Sequence, residues 1–512
     1  MKGRYWIINQ GVVVGNYQIN NLNCRREKMK ARLFLALALV ATLLIVAAAG
    51  AVAQNSSLDE ASAIPVAVAA AASEGTVSWF IDTVDGSASD DRGQHVSVAI
   101  DPSDGTIYVS YYDATDGDLR WARTVSSGGN CGPDNAWYCE TVASTGDVGR
   151  YSSIAVYPGT GPADWKVGIA YHDAGGGHLK YAEYTYDLSV AAGDKLVAGG
   201  GGSWAYSGID LGNASLFSYK GRYISLAFDS GGTPHISYYH YMTLGDDALR
   251  YARYVGSGGN CGSGTATGQW RCNTIHAGPG AGQYTAISLA NGVQIAFLDG
   301  GSGRLMQATY TGIGGYGCST GASGWVCSEI ESSVAGPVSA GGNPATGRMH
   351  IAYVTTGNKL KYAVPVSSGG NCGPSNTWYC EEIEGIGADS DARGVSLAID
   401  DAGYPVIAYQ RVSLAPESLE SLKVARPAGA LGWVSGIDPL NCGGEFTLFA
   451  TWYCETVDAA GYSEQNGDYA SAAVSPAGLV TVAYYEQDAL NSTGYLQVAY
   501  QRVLIFLPLV LR

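Results

Sequence analysis

Positive charge is scarce in this sequence, and so are long apolar stretches. Only 29 Lys and Arg stand against 45 Asp and Glu, and charged residues together make up 14%. Disorder needs dense charge and few aromatics, so a chain with 35 Tyr and 11 Trp must be folded over most of its length. Seven of the basic residues and one acidic residue fall in the first 53 positions. Beyond them 22 basic residues face 44 acidic ones, a net of −22. Such a surface repels phosphate, which makes nucleic acid and anionic membranes poor partners and leaves cationic ligands, metal ions and neutral sugars open. The 71 Gly follow no G-X-Y period, which excludes collagen. There is also no H-E-x-x-H, no P-loop and no C-x-x-C.

One apolar run does occur. Basic residues in RREKMKAR (25–32) precede Leu33 to Ala49, and Ala51-Val52-Ala53 follows as a small-x-small cleavage site. Residues 1–53 are therefore expected to be an export region, with Met29 as the initiator and Gln54 as the mature start; retention as an uncleaved anchor is the alternative. After cleavage no span remains. No Cys follows the run, which argues against a lipoprotein. Residues 54–75, rich in Ala and Ser, are expected to be a linker. The apolar tail 504–512 (LIFLPLVLR) is too short to cross a bilayer; it would pack on the last sheet or serve as a surface-retention signal.

Internal repetition dominates the rest. Trp is followed five residues later by Val or Ile at Trp79, Trp137, Trp204, Trp270, Trp325, Trp378 and Trp452. Between these lie a strand such as Val96–Ile100, a strand ending in aromatics such as Val109–Tyr112, and a Leu-x-x-Ala strand at Leu119, Leu179, Leu249, Leu305, Leu360, Leu422 and Leu496. Four short strands, A to D in chain order, thus recur seven times, the D strand carrying the Trp. Units this small bury too little surface alone, and apolar patterning on both faces needs a neighbour on each side. The expectation is an all-β, seven-bladed β-propeller of four-stranded antiparallel blades over residues 76–503. The chain opens on a lone D strand and its last repeat stops after strand C. Residues 77–85 are therefore expected to close the ring as the outermost strand of the blade built from about 468–503.

Setting aside Cys24, ten Cys fall in local pairs: Cys131/Cys139, Cys261/Cys272, Cys318/Cys327, Cys372/Cys380 and Cys442/Cys454. The D strand at Trp204 lacks its Cys and the loop before it lacks the other, as bonded partners would. With no His matched to them, disulfides in an oxidising compartment are the expected state rather than zinc. In the chain-entropy model each short loop contributes roughly 2–3 kcal/mol.

Short catalytic motifs sit in the wrong context. Gly317-Cys318-Ser319-Thr320-Gly321 matches G-x-S-x-G but lies in a cystine loop, not a strand-to-helix turn, and Gly312–Gly317 fits G-x-G-x-x-G with no helix to follow. The turn Asp113–Asp118 offers oxygen ligands to Ca²⁺, though Asp and Gly are equally turn residues and no other repeat copies it. No cofactor is expected. The stronger candidate is a ring on the propeller's channel face. Arg92, Arg150, Arg222 and Arg393 are placed just before strand A, and Asp113, Asp173, His240, Asp299, Arg411 and Glu486 just after strand B. Aromatic platforms beside forked donors and carboxylates would suit a sugar. The competing reading is that Arg of one blade pairs with Asp of the next to lock the ring.

Segments such as Tyr151-Ser152-Ser153-Ile154-Ala155-Val156, His235-Ile236-Ser237-Tyr238-Tyr239 and Leu-Arg-Tyr-Ala at 249–252 resemble exported bacterial β-propeller repeat proteins, over residues 77–503. Turns of the D-x-x-G type are similar to those of NHL-type and sialidase-type propellers. Ser103-Asp104-Gly105 and Asp401-Ala402-Gly403 approximate the sialidase Asp-box without its closing Trp. The four Arg are what this sequence offers to a sialidase Arg triad, and the other catalytic roles have no matching position. Fold kinship does not carry activity. The expectation is a secreted or cell-surface, monomeric, non-catalytic module binding a glycan or protein. The alternatives are a sialidase-like glycoside hydrolase or lyase, and a structural surface component.

Overall fold

Val, Ile, Tyr and Ala alternate with polar residues in runs cut by Gly, Asp and Ser, and such runs can only satisfy backbone and side chains together as short strands. The computed structural model describes residues 76–161, 164–185, 202–243, 245–387, 394–412, 420–427, 442, 452–459, 464–488 and 493–504. The expected export region, Cys24, the linker, Arg393 and the tail beyond Leu504 lie outside them.

β1 (Thr76–Asp85) comes first. β2 (Arg92–Ile100), β3 (Ile107–Asp113), β4 (Asp118–Thr124) and β5 (Trp137–Ala143) form the first four-stranded antiparallel sheet. The second holds β6 (Val148–Tyr157), β7 (Lys166–Asp173), β8 (His178–Thr185) and β9 (Ser203–Asp210). The third holds β10 (Ser218–Phe228), β11 (Pro234–Met242), β12 (Ala248–Tyr254) and β13 (Trp270–Ala277). β14 (Ala281–Ser288), β15 (Gln294–Asp299), β16 (Arg304–Tyr310) and β17 (Trp325–Ser332) make the fourth. β18 (Val334–Gly342), β19 (Met349–Thr355), β20 (Lys359–Pro365) and β21 (Trp378–Gly385) make the fifth.

The remaining strands form one mixed, eight-stranded sheet with two antiparallel halves. One half is β22 (Val395–Ile399), β23 (Pro405–Val412), β24 (Glu420–Pro427) and β25 (Trp452–Ala459). The other is β26 (Glu464–Val474), β27 (Val480–Asp488), β28 (Thr493–Leu504) and β1. A single parallel pairing, Glu420 with Gln465, joins the halves. β1 pairs antiparallel with β28 from Thr76↔Leu504 to Asp85↔Leu496, with Trp79 opposite Gln501. The chain is all-β, and its four-stranded antiparallel sheets have the build of propeller blades. Among the described residues no helix is long and apolar enough to cross a membrane.

The strands at position A carry the contacts between sheets. β2, β6, β10, β14, β18, β22 and β26 each touch the A strand of the next sheet, and β26 touches β2. One Ser hydroxyl recurs here as acceptor for a backbone N–H of the following sheet. Ile154 N donates to Ser97 Oγ (3.1 Å), Leu226 N to Ser153 Oγ (3.0 Å) and Ile287 N to Ser225 Oγ (3.1 Å). Leu397 N donates to Ser339 Oγ (2.9 Å), Ala472 N to Ser396 Oγ (2.9 Å) and Val98 N to Ser471 Oγ (3.1 Å). Ala286 occupies the matching place in the fourth sheet and has no hydroxyl to offer.

A glycine four residues before that Ser sets how close the sheets come. Gly149 has φ +110, and a Cβ there would lie 2.7 Å from Leu119 Cα in the first sheet. Gly93, Gly221, Gly282 and Gly467 meet Leu496, Leu179, Leu249 and Leu422 in the same way. These are leucines of the Leu-x-x-Ala signature, so that signature marks the surface on which the next sheet's backbone rests. Apolar clusters fill the spaces between neighbouring sheets. One of them mixes Val96, Val98, Val109, Tyr111 and Trp137 of the first sheet with Val84 of β1 and Leu496 and Val498 of β28. The five cystines, Cys131–Cys139, Cys261–Cys272, Cys318–Cys327, Cys372–Cys380 and Cys442–Cys454, each bridge 8 to 12 residues leading into a D strand.

The glycine contact predicts an asymmetry between neighbours. Gly149→Ala adds a methyl against backbone in a left-handed conformation and should cost about 2–4 kcal/mol. Gly146→Ala, also at positive φ (+89) but with open space around it, should cost only about 1 kcal/mol. Denaturant midpoints of the two variants check this, and equal losses would remove the Leu119 contact as the cause.

Candidate functional site

Just after this glycine the A strand breaks register with strand B in a β-bulge, as between Arg150 and Ser153, and six of the seven A strands show such a break. The residue in the bulge is aromatic and left-handed in five sheets: His95 (φ 52), Tyr151 (φ 55), Tyr223 (φ 47), Tyr284 (φ 49) and Tyr469 (φ 53). Bulky residues are rarely found there, at about 1–3 kcal/mol each, so surrounding structure must impose it. Pro337 and Gly394 take this place in β18 and just before β22. The bulge turns the rings toward one another. Tyr469 and His95 have centroids 4.6 Å apart, His95 and Tyr151 4.5 Å, Tyr151 and Tyr223 5.1 Å, and Tyr223 and Tyr284 4.4 Å. Rings from five sheets thus form one continuous, half-exposed arc. Tyr485, Tyr112, His172 and Tyr239 from B strands pack behind it.

The residues expected to form the ring are not loop residues: those described lie inside strands, in two different registers. Arg92 stands opposite Asp113, and its place is taken by Val148 opposite Asp173, Lys220 opposite His240, Ala281 opposite Asp299 and Asn466 opposite Glu486. Arg150 and Arg222 lie two residues further on, beside the aromatic. Arg92 Nε donates to the fully buried Asp113 (2.7 Å), and its Nη1 donates to Asp85 of β1 (3.1 Å). Asp113 also accepts the N–H groups of Thr115 and Asp116, so its turn is closed on itself. Arg150 pairs with Asp147 (3.0 Å) and donates to Tyr112 Oη (3.2 Å). Asp173 binds Lys180 (2.7 Å); burial pushes its carboxyl up, but Lys180 and the Gly176 N–H outweigh that and hold it below the usual range.

The others also find partners outside the expected set. The Arg222 guanidinium lies between the rings of Tyr219 (4.7 Å) and Tyr241 (4.8 Å). His240 Nε2 bonds Ser218 Oγ (2.8 Å), and burial with Lys220 and Arg250 lowers its pKa to about 4. Asp299 accepts from Ser302 Oγ (2.6 Å), Arg411 lies 3.6 Å from Glu384, and Glu486 accepts from Gln497. Arg393 lies outside the described residues. Of the expected set, Arg92 and Asp113 are brought together. Ser319 of the G-x-S-x-G match donates to Ala277 O (2.7 Å) and accepts from Ala277 N, which ties down its loop.

A different set of charged residues bridges the sheets, one that the expectations above omit. The residue six after each signature Trp is acidic in five repeats: Asp85, Asp210, Glu331, Glu384 and Asp458. Each accepts from the Tyr of the next sheet's B strand: Tyr111 and Tyr238 at 2.5 Å, and Tyr353, Tyr409 and Tyr484 likewise. Directly across from those tyrosines stand Arg120, Arg250, Lys361, Lys423 and Gln497. Arg120 reaches Asp85 at 3.0 Å, Arg250 reaches Asp210 at 2.9 Å, Lys361 reaches Glu331 at 2.5 Å and Lys423 reaches Glu384 at 2.7 Å. Burial pushes the Tyr111, Tyr238, Tyr353 and Tyr409 hydroxyls well above the usual phenol value, so they stay donors. At the Asp458 junction the neutral Gln497 stands in the cation's place, and two further junctions lose the acid. Between the third and fourth sheets the trio becomes His276, Phe297 and Met306, losing all three groups together. Between the first and second it becomes Ala143, Tyr171 and Lys180, losing the acid alone.

No known family model and no curated protein sequence matches this chain. Among solved structures it is similar to AofleA from Arthrobotrys oligospora, at 13% identity and TM-score 0.38 over 68% of this chain and 86% of that one. A mutant Aleuria aurantia lectin in complex with alpha-methyl-L-fucoside matches at 10% identity and TM-score 0.39, covering 73% and 96%. The polysaccharide lyase Uly1 matches at 9% and 0.36, covering 80% and 90%. Overlaps this low carry no inference about what this chain binds.

Burial pushes the Asp210 carboxyl up, but Arg250, Lys220 and the Tyr238 hydroxyl together outweigh it and hold the group below the ordinary range. A depressed carboxyl contributes stability above its unfolded pKa, near 4, and loses it as pH falls through the folded value. Asp210→Asn should therefore cost about 3 kcal/mol at pH 7, with the gap between wild type and variant narrowing as pH falls below the ordinary carboxylate range. Urea midpoints at pH 7, 5 and 3 check this; a gap independent of pH would mean that the charge is not what holds the junction.

Proposed function

We propose that this chain is a closed seven-bladed β-propeller, exported from its cell, that binds a neutral glycan without catalysis at the inner rim where its A strands bulge. The pairing of β1 with β28, the Val98–Ser471 hydrogen bond and the packing of Gly93 on Leu496 support closure of the ring between first and last blades. The local cystines fit an extracellular setting.

The arc of five left-handed aromatic side chains carries the binding reading. A sugar presents an apolar face that stacks on a ring and an edge of hydroxyls that needs donors and acceptors. Each arc residue is preceded by a polar neighbour: Gln94, Arg150, Arg222, Gln283 and Asp468. Recurrence at blade spacing would let a repetitive glycan engage several rings at once. The net charge beyond the export region favours a neutral chain over a polyanion. A hydrolase or lyase would need carboxylates at liberty to act, and the inter-sheet acids named above are engaged by Tyr, Arg or Lys.

Tyr151→Gly and Tyr223→Gly separate binding from stability. Glycine tolerates the left-handed backbone, and the strain relieved offsets part of the packing lost with each ring, so both variants should stay folded. Removing a stacking ring should weaken glycan binding roughly tenfold. A neutral-glycan array, followed by calorimetry on any hit, makes the comparison. An array with no hit, or variants that bind like wild type, would sink the reading.

A further inference from the structure

The junction between the first and second sheets keeps two members of the inter-sheet trio and lacks the third. Tyr171 and Lys180 face each other across β7 and β8, as Tyr111 and Arg120 or Tyr409 and Lys423 do elsewhere. The acid that such a pair normally holds is replaced by Ala143 at the end of β5. What remains is a cavity of about 400 Å³, bounded by Ala143, Thr145, Tyr171, Lys180, Tyr206 and Ser207. Tyr206 Oη donates to Val142 O (2.8 Å) and so fixes one wall. Tyr171 is buried, and its hydroxyl has no hydrogen-bond partner among the described residues. Lys180 leans on Asp173 of its own sheet. Where the fold abandons the trio, between the third and fourth sheets, Tyr and cation are replaced along with the acid. Here they persist beside an open space.

We propose that this cavity binds a small ligand through one carboxylate, which takes the position that Asp85, Asp210, Glu331, Glu384 and Asp458 hold at the other junctions. The Tyr171 hydroxyl donates to one carboxylate oxygen and the Lys180 ammonium to the other. The protein builds this cradle repeatedly for its own carboxylates, so the chemistry of recognition is that of an internal side chain. The space left after the carboxylate suits a body of monosaccharide size, which makes a sugar acid the fitting class. Thr145, Ser207 and Tyr206 supply polar groups for its hydroxyls. The protein's acidity disfavours a polyanion, but a single carboxylate seated on Lys180 is shielded from distant charge by salt. This site is separate from the aromatic arc and does not rest on it.

Glucuronate is the probe, with glucose as its uncharged match and acetate as the carboxylate without the sugar. By calorimetry at moderate salt, glucuronate should bind and acetate more weakly, with glucose at least about tenfold below glucuronate. Ala143→Asp supplies the missing acid from within. It should raise the unfolding midpoint and lower glucuronate affinity at least tenfold. Lys180→Met tests the same contact without filling the space and should also lower affinity at least tenfold, while Tyr151→Gly leaves it unchanged. Glucose binding as well as glucuronate, no glucuronate binding at 10 mM, or glucuronate binding that survives both substitutions would each overturn the proposal.

Discussion

The sheets of this protein stand at a distance set by backbone lying on backbone. In five of the A strands a glycine at positive φ brings the strand's start onto the Cα of a leucine in the sheet before it, closer than any side chain would permit. The other junction features follow from that approach. With the strand pressed inward, the next residues cannot stay in register with strand B, so the chain bulges and throws an aromatic into the left-handed region. Beyond the bulge the serine is near enough for its hydroxyl to take an N–H from the next sheet. Strain at the bulge is tolerated because glycine contact, serine bond and ring-to-ring packing fix the same backbone.

Further out, the charged trios do work of another kind. A buried ion pair adds little net stability over apolar packing, but losing one partner is costly. The acid at the end of one sheet therefore selects which neighbour it accepts and at what height, since only the matching Tyr and cation satisfy it. Asp85 is the clearest case. It sits on β1 and is held by Tyr111, Arg92 and Arg120, all from the first sheet. The outer strand paired with β28 is thus locked to the sheet that follows it in the chain.

Much of this was legible from spacing. The Trp, Tyr and Leu signatures are the residues that fill the space between sheets, and burial at both faces forces them to recur. The cystine pairs were legible for a similar reason, because loss of both members in the Trp204 repeat shows that they act together. The relative placement of the candidate ring residues was not legible. Arg92 and Arg150 look alike in sequence, yet one precedes the glycine and the other follows it, so one points to Asp113 and the other to Tyr112. Only alignment on the glycine separates them. The acids six residues after five of the Trp were visible, but their role depends on a Tyr 22 to 28 residues further on whose register a lone sequence does not supply. The left-handed aromatics were hidden altogether, since nothing in Tyr itself announces the conformation.

The pairing of Thr76–Asp85 with Thr493–Leu504 has a consequence in time as well as space. The earliest of the described strands finds its partner in the latest, more than four hundred residues further on. Until then it is an unsatisfied ribbon bearing Trp79 and Phe80, and β28 offers a bare edge as soon as it appears. Cystines confined to single hairpins can form along the way without helping the two ends meet. Completion of the fold is therefore a single late event of very high contact order, and crowding or delay at that moment favours exchange of the opening strand between two copies of the chain.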